Sequence, residues 1–202
     1  MPTLFERITQ LMSEGIDPAT REDEIWATYG QQVAVMVVDS TGFSRVSDAH
    51  GILHFLARLA AMRETVRPVI AAHGQITARF EADNVIAAFR SPDSAIRSAM
   101  DVHQALADSG LMLTDDEPFR LCIGIGFGQM LYAESMEGFF GKEMNLASKL
   151  GEDIAEGGEI LLTEATFNNA TAGLVAGFEK RSTLVSGLAF DYYHSSYPLR
   201  AR

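Results

Sequence analysis

Apolar residues along this chain fall into alternating helical and strand-like patterns. Leu4, Ile8 and Leu11 recur at helical spacing, Gly15 and Pro18 punctuate, and a second short helix is predicted over 22–29 around Trp26. The run 33–38, Val-Ala-Val-Met-Val-Val, is continuously apolar and β-prone, the pattern of a strand buried on both faces. It ends at Asp39-Ser40-Thr41-Gly42-Phe43, a turn that leads into a helix over 51–72. There Ile52, Leu56, Leu59, Val66 and Ile70 mark one face, and Pro68 is expected to kink or break it. Strands at 75–80 and 85–89 flank Glu81-Ala82-Asp83-Asn84, a hairpin tip. Ser91-Pro92-Asp93 starts a helix reaching about residue 107, and 109–118 is a polar loop. A strand over 119–127 contains Gly124 and Gly126, which suggests close backbone approach. A helix over 142–155, a strand over 160–162, a short helix over 164–170 and a strand-like tail over 184–193 follow. Irregular alternation with hairpins predicts an α+β sheet layered by helices. Residues 1–28 read as a helical extension, for which plain packing on the core is favoured over a role covering a partner surface, and 29–202 as one domain.

Composition narrows the functions available. At 202 residues and 47% hydrophobic, the chain has enough apolar surface for a proper core. Its net charge of -11 sets a repulsive field against nucleic acid and anionic membranes, so neither is an expected partner. No run approaches the ~20 apolar residues of a membrane span, and no signal-peptide pattern opens the chain. The single cysteine, Cys122, makes no internal disulfide, which fits a reducing, cytoplasmic setting. The five histidines show no zinc pattern with a cysteine. Gly124-Ile125-Gly126-Phe127-Gly128 lies inside a strand and lacks a dinucleotide fingerprint.

Two aspartates stand where chemistry is accessible. Asp39 ends a buried strand and Asp83 sits at a hairpin tip. If those strands are neighbours, two hard oxygen ligands converge, a donor set for Mg²⁺ or Mn²⁺ with positions left for water and phosphate. The turn after Asp39 would present backbone N–H groups to phosphate oxygens. Aspartate is also common in ordinary turns, and spacing alone leaves both readings open. On the helix starting near Lys142, Asn145 and Lys149 are four apart and share a face. They are suited to a sugar oxygen and to phosphate charge, or equally to a solvated surface.

Three ordered motifs resemble the class III adenylate/guanylate cyclase catalytic domain: Val37-Val38-Asp39-Ser40-Thr41-Gly42-Phe43-Ser44, Ala82-Asp83-Asn84-Val85-Ile86-Ala87-Ala88-Phe89, and Phe140-Gly141 through Asn145-Leu146-Ala147-Ser148-Lys149. The resemblance spans roughly 33–193. It implies a ferredoxin-like antiparallel sheet layered with helices, and a homodimer whose sites lie at the subunit interface. It implies two divalent metals, Mg²⁺ or Mn²⁺, held by Asp39, Asp83 and the carbonyl of Ser40. Amides of Thr41, Gly42, Phe43 and Ser44 would receive the phosphates of a nucleoside triphosphate. From the other subunit, Asn145 would orient the ribose and Lys149 would stabilise the transition state. The implied reaction forms a 3′,5′-cyclic nucleotide and pyrophosphate.

This sequence departs from the family at several positions. Lys149 stands where arginine is usual, keeping charge but losing the planar fork. Ala82 replaces a glycine, which calls for a negative φ there. The base-selecting positions carry Arg79 in place of lysine and Gly138, beside Glu137, in place of aspartate or threonine, so ATP is the default substrate and other bases stay open. Val185-Ser186-Gly187 lacks a phosphate-neutralising lysine. No separate input domain is expected in the short N-terminal stretch. The alternatives are a catalytically silent cyclase-like module that binds a nucleotide or a protein, and an unrelated ferredoxin-like scaffold.

Overall fold

The computed structural model describes residues 1–134, 138–185 and 187–196. The run 33–38 lies in β1 (Gly30–Ser40), and all of it is sealed from solvent. β1 is interior to the sheet, antiparallel to both β3 (Asn84–Phe89) and β4 (Leu121–Ala133). β2 (Thr77–Glu81) closes the hairpin with β3 at one edge. On the far side of β4 come β6 (Glu159–Thr163), β8 (Leu188–Ser196) and β7 (Glu179–Val185), giving the order β2-β3-β1-β4-β6-β8-β7. β5 (Gly138–Phe140) pairs with the end of β4. Only β4 and β6 run parallel, so the sheet is mixed, a refinement of the antiparallel expectation.

The period of two along β1 assigns its side chains to two different layers. Ala34, Met36 and Val38 face the main core, where α4 (Ile52–Ala72) and α5 (Pro92–Ser109) contribute Phe55, Met62, Val66, Ile96 and Val102. Val33, Val35 and Val37 face the other way, toward Ala147 and Met144 of α6 (Lys142–Ser148). α6 lies almost on the backbone of β4. A Cβ at Gly124 would stand 2.2 Å from the carbonyl oxygen of Ala147, and one at Gly126 2.3 Å from that of Glu143. The glycines read as close-approach positions are therefore the seat of this helix. Replacing Gly126 by alanine is expected to lift α6, costing about 1–3 kcal/mol. A lowered urea midpoint checks this.

Several elements differ from their predicted forms. A separate helix, α3 (Phe43–His50), precedes α4, because Gly51 at φ +86° breaks the helical path. Pro68 does not break α4, since it lies on the exposed side, where water can take the freed carbonyl. β4 runs beyond residue 127, because its pairing with β1 continues to Gly30↔Leu131. The predicted helix 142–155 changes at Lys149 into a π-type turn, Lys149–Ile154. The tail is a hairpin, β7 and β8, turning at Gly187 with φ +78°. α7 (Glu164–Asn169) and α8 (Ala172–Val175) follow β6.

At the N-terminus, α1 (Leu4–Ser13) carries a capping box between Thr3 and Glu6. Together with α2 (Glu22–Tyr29), it buries Leu4, Leu11 and Ile25 against Ala133 and Leu131 of β4. That contact is the core packing favoured from sequence. No helix among the described residues is long and apolar enough to cross a membrane.

Candidate active site

Antiparallel pairing of β1 with β3 brings the two aspartates together. Val38 pairs with Val85, so the strand end carrying Asp39 lies beside the hairpin tip carrying Asp83. Ser40 joins them: its N–H donates to Asp39 Oδ1 at 2.8 Å and its hydroxyl donates to Asp83 Oδ2 at 3.4 Å. Ser40 is buried and Asp39 and Asp83 are partly so. The Asp39 carboxyl is pushed up to about 6, first by burial and then by the negative charge of Asp83, with Glu152 adding to it and the Ser40 N–H opposing. No cation is among the groups acting on it.

Glu152 was not singled out from sequence. It lies in the π-type turn, and its own carboxyl is raised by desolvation, then by Asp153 and Asp83. Its signal was present in the pattern, because it is three residues after Lys149 on a predicted helix. Gly151 beside it comes close to the Val37 carbonyl of β1, which carries this turn to the aspartate end of the strand.

The turn after Ser40 serves the site only in part. Gly42 holds φ +84° and stands at the N-cap of α3, a left-handed conformation natural to glycine. The first-turn amides of Phe43, Ser44 and Arg45 have no intrahelical acceptor, and the helix dipole adds to their attraction for an anion. Thr41 is different: its N–H donates to the Arg120 carbonyl at 3.1 Å and its hydroxyl to the same oxygen at 3.3 Å. That amide is committed to the Arg120 carbonyl, so the uncommitted donors of this turn begin after Thr41. The loop 113–117 braces α3 through Arg45, which holds both oxygens of Glu117 at 2.7 Å. Phe43 packs edge-on against Phe55, with ring centroids 4.9 Å apart.

The remaining predicted residues make no hydrogen bond or ion pair with the aspartates among the described residues. Asn145 is exposed and Lys149 half-exposed, and neither makes a side-chain hydrogen bond or ion pair among the described residues. Arg79, on β2, lies 3.5 Å from Glu81 and pairs with Ile86. Gly138 pairs with Ala133, at the Gly30 end of β1. Arg79 is level with Val37 through the pairing of Ile86, whereas Gly138 lies near the Gly30 end of β1. Glu137 and Ser186 lie outside the described residues. A groove of about 670 Å³ between α6, α7 and the β7–β8 hairpin, lined by Lys142, Leu146, Phe190 and Asp191, contains none of the predicted site residues.

The donor set fits a divalent cation of the hard type. Among the described residues, no group of three or more His, Cys, Asp or Glu side chains is gathered for a metal. Two carboxylates and the Ser40 carbonyl are few ligands, which suits Mg²⁺ or Mn²⁺ sharing their coordination with water and phosphate. Burial first, and then repulsion from Asp83, raise Asp39, and such a cation would offset both.

The same architecture occurs in known proteins. A solved adenylate/guanylate cyclase/hydrolase from Silicibacter pomeroyi superposes with a TM-score of 0.71 at 23% identity, covering 84% of this chain and 98% of that one. The chain has the fold of a class III nucleotidyl cyclase catalytic domain. Adenylate cyclases from Trypanosoma brucei, solved in their monomeric state, align on this cyclase fold with a TM-score of 0.65 at 17% identity, over 81% of this chain and 87% of theirs. In sequence, the cyclase-type domain is 24% identical over 131 residues to a curated Rhizobium meliloti (strain 1021) protein named "Putative adenylate cyclase 3". That match covers 65% of this chain and spans about a fifth (22%) of the relative's length. No family model matches the chain.

Proposed function

We propose that this cyclase-fold domain converts a nucleoside triphosphate, ATP by default, into a 3′,5′-cyclic nucleotide and pyrophosphate. The observation that carries the reading is the Asp39–Ser40–Asp83 constellation at one sheet end, beside the open N-terminus of α3. Asp39, Asp83 and the Ser40 carbonyl hold divalent cations. When bound, these cations lower the pKa of the ribose 3′-hydroxyl and neutralise phosphate charge. The 3′-oxygen bonds to the α-phosphorus, the bond from that phosphorus to the α,β-bridging oxygen breaks, and the hydroxyl proton passes to solvent. First-turn amides of α3 hold the departing phosphates.

Asn145 and Lys149 act across a homodimer interface, a reading supported by their making no side-chain hydrogen bond or ion pair among the described residues. The sheet face shared by Asp39 and Arg79 supports it too. There α6 covers β1 and β4 but leaves Ile86 and Arg79 half-exposed. Asn145 of a second copy orients the ribose, and its Lys149 offsets charge developing on the phosphate. Lys149 in place of arginine, and Gly138 with no side chain for the base, favour the second reading of a silent nucleotide-binding module.

One assay separates the two. The purified protein is incubated with ATP, GTP, CTP or UTP, with Mn²⁺ and then Mg²⁺, and the products are resolved by chromatography. A cyclic product that disappears in Asp39→Ala and Asp83→Ala establishes the cyclase and names its base. A folded dimer that yields no product with either metal assigns the silent module.

A further inference from the structure

Asp83 follows a residue in a costly conformation. Ala82 has φ +47°, the only non-glycine among the described residues with positive φ, against the negative φ its identity called for. An L-residue in this region is disfavoured by steric contact of its Cβ with the backbone. The tip is a two-residue turn between the paired Glu81 and Asn84, so it has no spare length in which to relax. A two-residue hairpin turn calls for positive φ at its first position, so the hairpin itself imposes this conformation on alanine, and a contact from outside can steady it.

The holder comes from α4. Arg63 donates through Nη2 to the Ala82 carbonyl, the peptide oxygen directly preceding Asp83. The same guanidinium lies 6.0 Å from the Phe80 ring centroid, and Arg67, one turn on, lies 4.1 Å from it. Phe80 is the β2 residue two positions before Ala82, and it packs against the main core with Ala78. Two arginines on one helix face thus grip the outer strand by its ring and its last carbonyl. Edge strands are the loosest part of a sheet, and this one leads through its turn to a proposed metal ligand.

We infer that Arg63 is a positioning residue for the Asp83 carboxylate: it fixes the left-handed Ala82 peptide and thereby sets where Asp83 stands relative to Asp39. It touches neither metal nor substrate, and the inference rests on the reading of Asp39 and Asp83 as metal ligands. The arrangement also explains how alanine occupies a position where the family has glycine. A clamped carbonyl offsets the cost that glycine would not incur.

The test is Mn²⁺ binding without nucleotide, followed by the electron-paramagnetic-resonance signal of the free aquo ion, with dichroism confirming the fold. Arg63→Met keeps an apolar stem against Phe80 and loses the donor, and it should weaken Mn²⁺ binding about tenfold, the worth of one hydrogen bond from a charged donor. Arg63→Lys should fall between the two. Adding Ala82→Gly to Arg63→Met should recover most of the loss, because glycine adopts the tip conformation without a clamp; a purely structural role for Arg63 would not be rescued there. If Asp83→Ala abolishes binding while Arg63→Met and Arg63→Lys titrate like the wild type, the positioning role is overturned and the metal site stands. If Asp83→Ala itself leaves Mn²⁺ binding unchanged, the metal reading fails and this inference falls with it.

Discussion

Asp39→Asn should abolish cyclic-nucleotide formation and at the same time make the metal-free protein more stable. Both effects come from one carboxylate. Its pKa in the folded chain is about 6, raised from 3.8 mainly by burial and by Asp83. Below about pH 4 the group is protonated in folded and unfolded chains alike, and it costs nothing. As pH rises through 6, the unfolded chain has already released the proton, while the folded chain must ionise a half-buried group beside another anion. Stability therefore falls across that window and stays lower at neutral pH. Asparagine is never ionised, and its carbonyl oxygen can still accept the Ser40 N–H. At pH 7.5 the variant should be the more stable of the two, by a margin that solvent screening of the half-exposed carboxylate reduces, and the acid-to-neutral slope in the wild-type melting temperature should flatten. Mn²⁺ should raise the melting temperature of the wild type and leave that of Asp39→Asn nearly unmoved. Product formation should drop by about 10³-fold or more, the scale of losing an electrostatic anchor for phosphoryl chemistry. Calorimetry across pH 4–8, with and without Mn²⁺, beside the chromatographic assay, checks each arm.

Lys149 governs the second large effect. Lys149→Ala should lower kcat by about 10²–10³-fold with little change in melting temperature, because the side chain is half-exposed and makes no ion pair among the described residues. Lys149→Arg should raise kcat by about tenfold. The guanidinium forms two parallel hydrogen bonds to phosphate where an ammonium acts as a point charge. Mixing a Lys149→Ala chain with an Asp39→Ala chain tests the shared site. Each variant alone is inactive on both interfaces, whereas their heterodimer keeps one interface with Asp39, Asp83 and Lys149 all native. Recovery of up to about a quarter of the wild-type rate in an equimolar mixture is the expected result, because half of the randomly paired dimers are heterodimers and each keeps one native site of two. No recovery from co-purified heterodimer would place Lys149 in the same chain's site.

Much of this architecture was legible because it depends on local pattern. The run 33–38 could be read as a strand buried on both faces, since only a central strand tolerates six apolar residues without alternation. Asp39 and Asp83 could be read as strand-end and hairpin-tip residues, and the order of their motifs named the family whose fold the chain has. Gly124 and Gly126 signalled close approach before their partner was known. Other features depend on what a residue meets in space, and no spacing carries that. Thr41 was expected to serve phosphate, but the Arg120 carbonyl, remote in sequence, takes its amide. Glu152 reaches the aspartates only because α6 runs over β4 toward that end and continues through the π-type turn. Ala82, at positive φ, meets through its carbonyl the guanidinium of Arg63, nineteen residues earlier.

By itself, the sequence determined the strand that bears Asp39, the hairpin that bears Asp83 and the helix that bears Asn145 and Lys149, because hydrophobic period and turn chemistry act over a few residues. Only the tertiary structure decided which of them meet. The antiparallel register of β1 with β3 joins Asp39 to Asp83 through Ser40, whereas Asn145 and Lys149 make no side-chain hydrogen bond or ion pair among the described residues. Register and separation are set by how whole strands pair and how helices cover them, a competition among contacts distant along the chain.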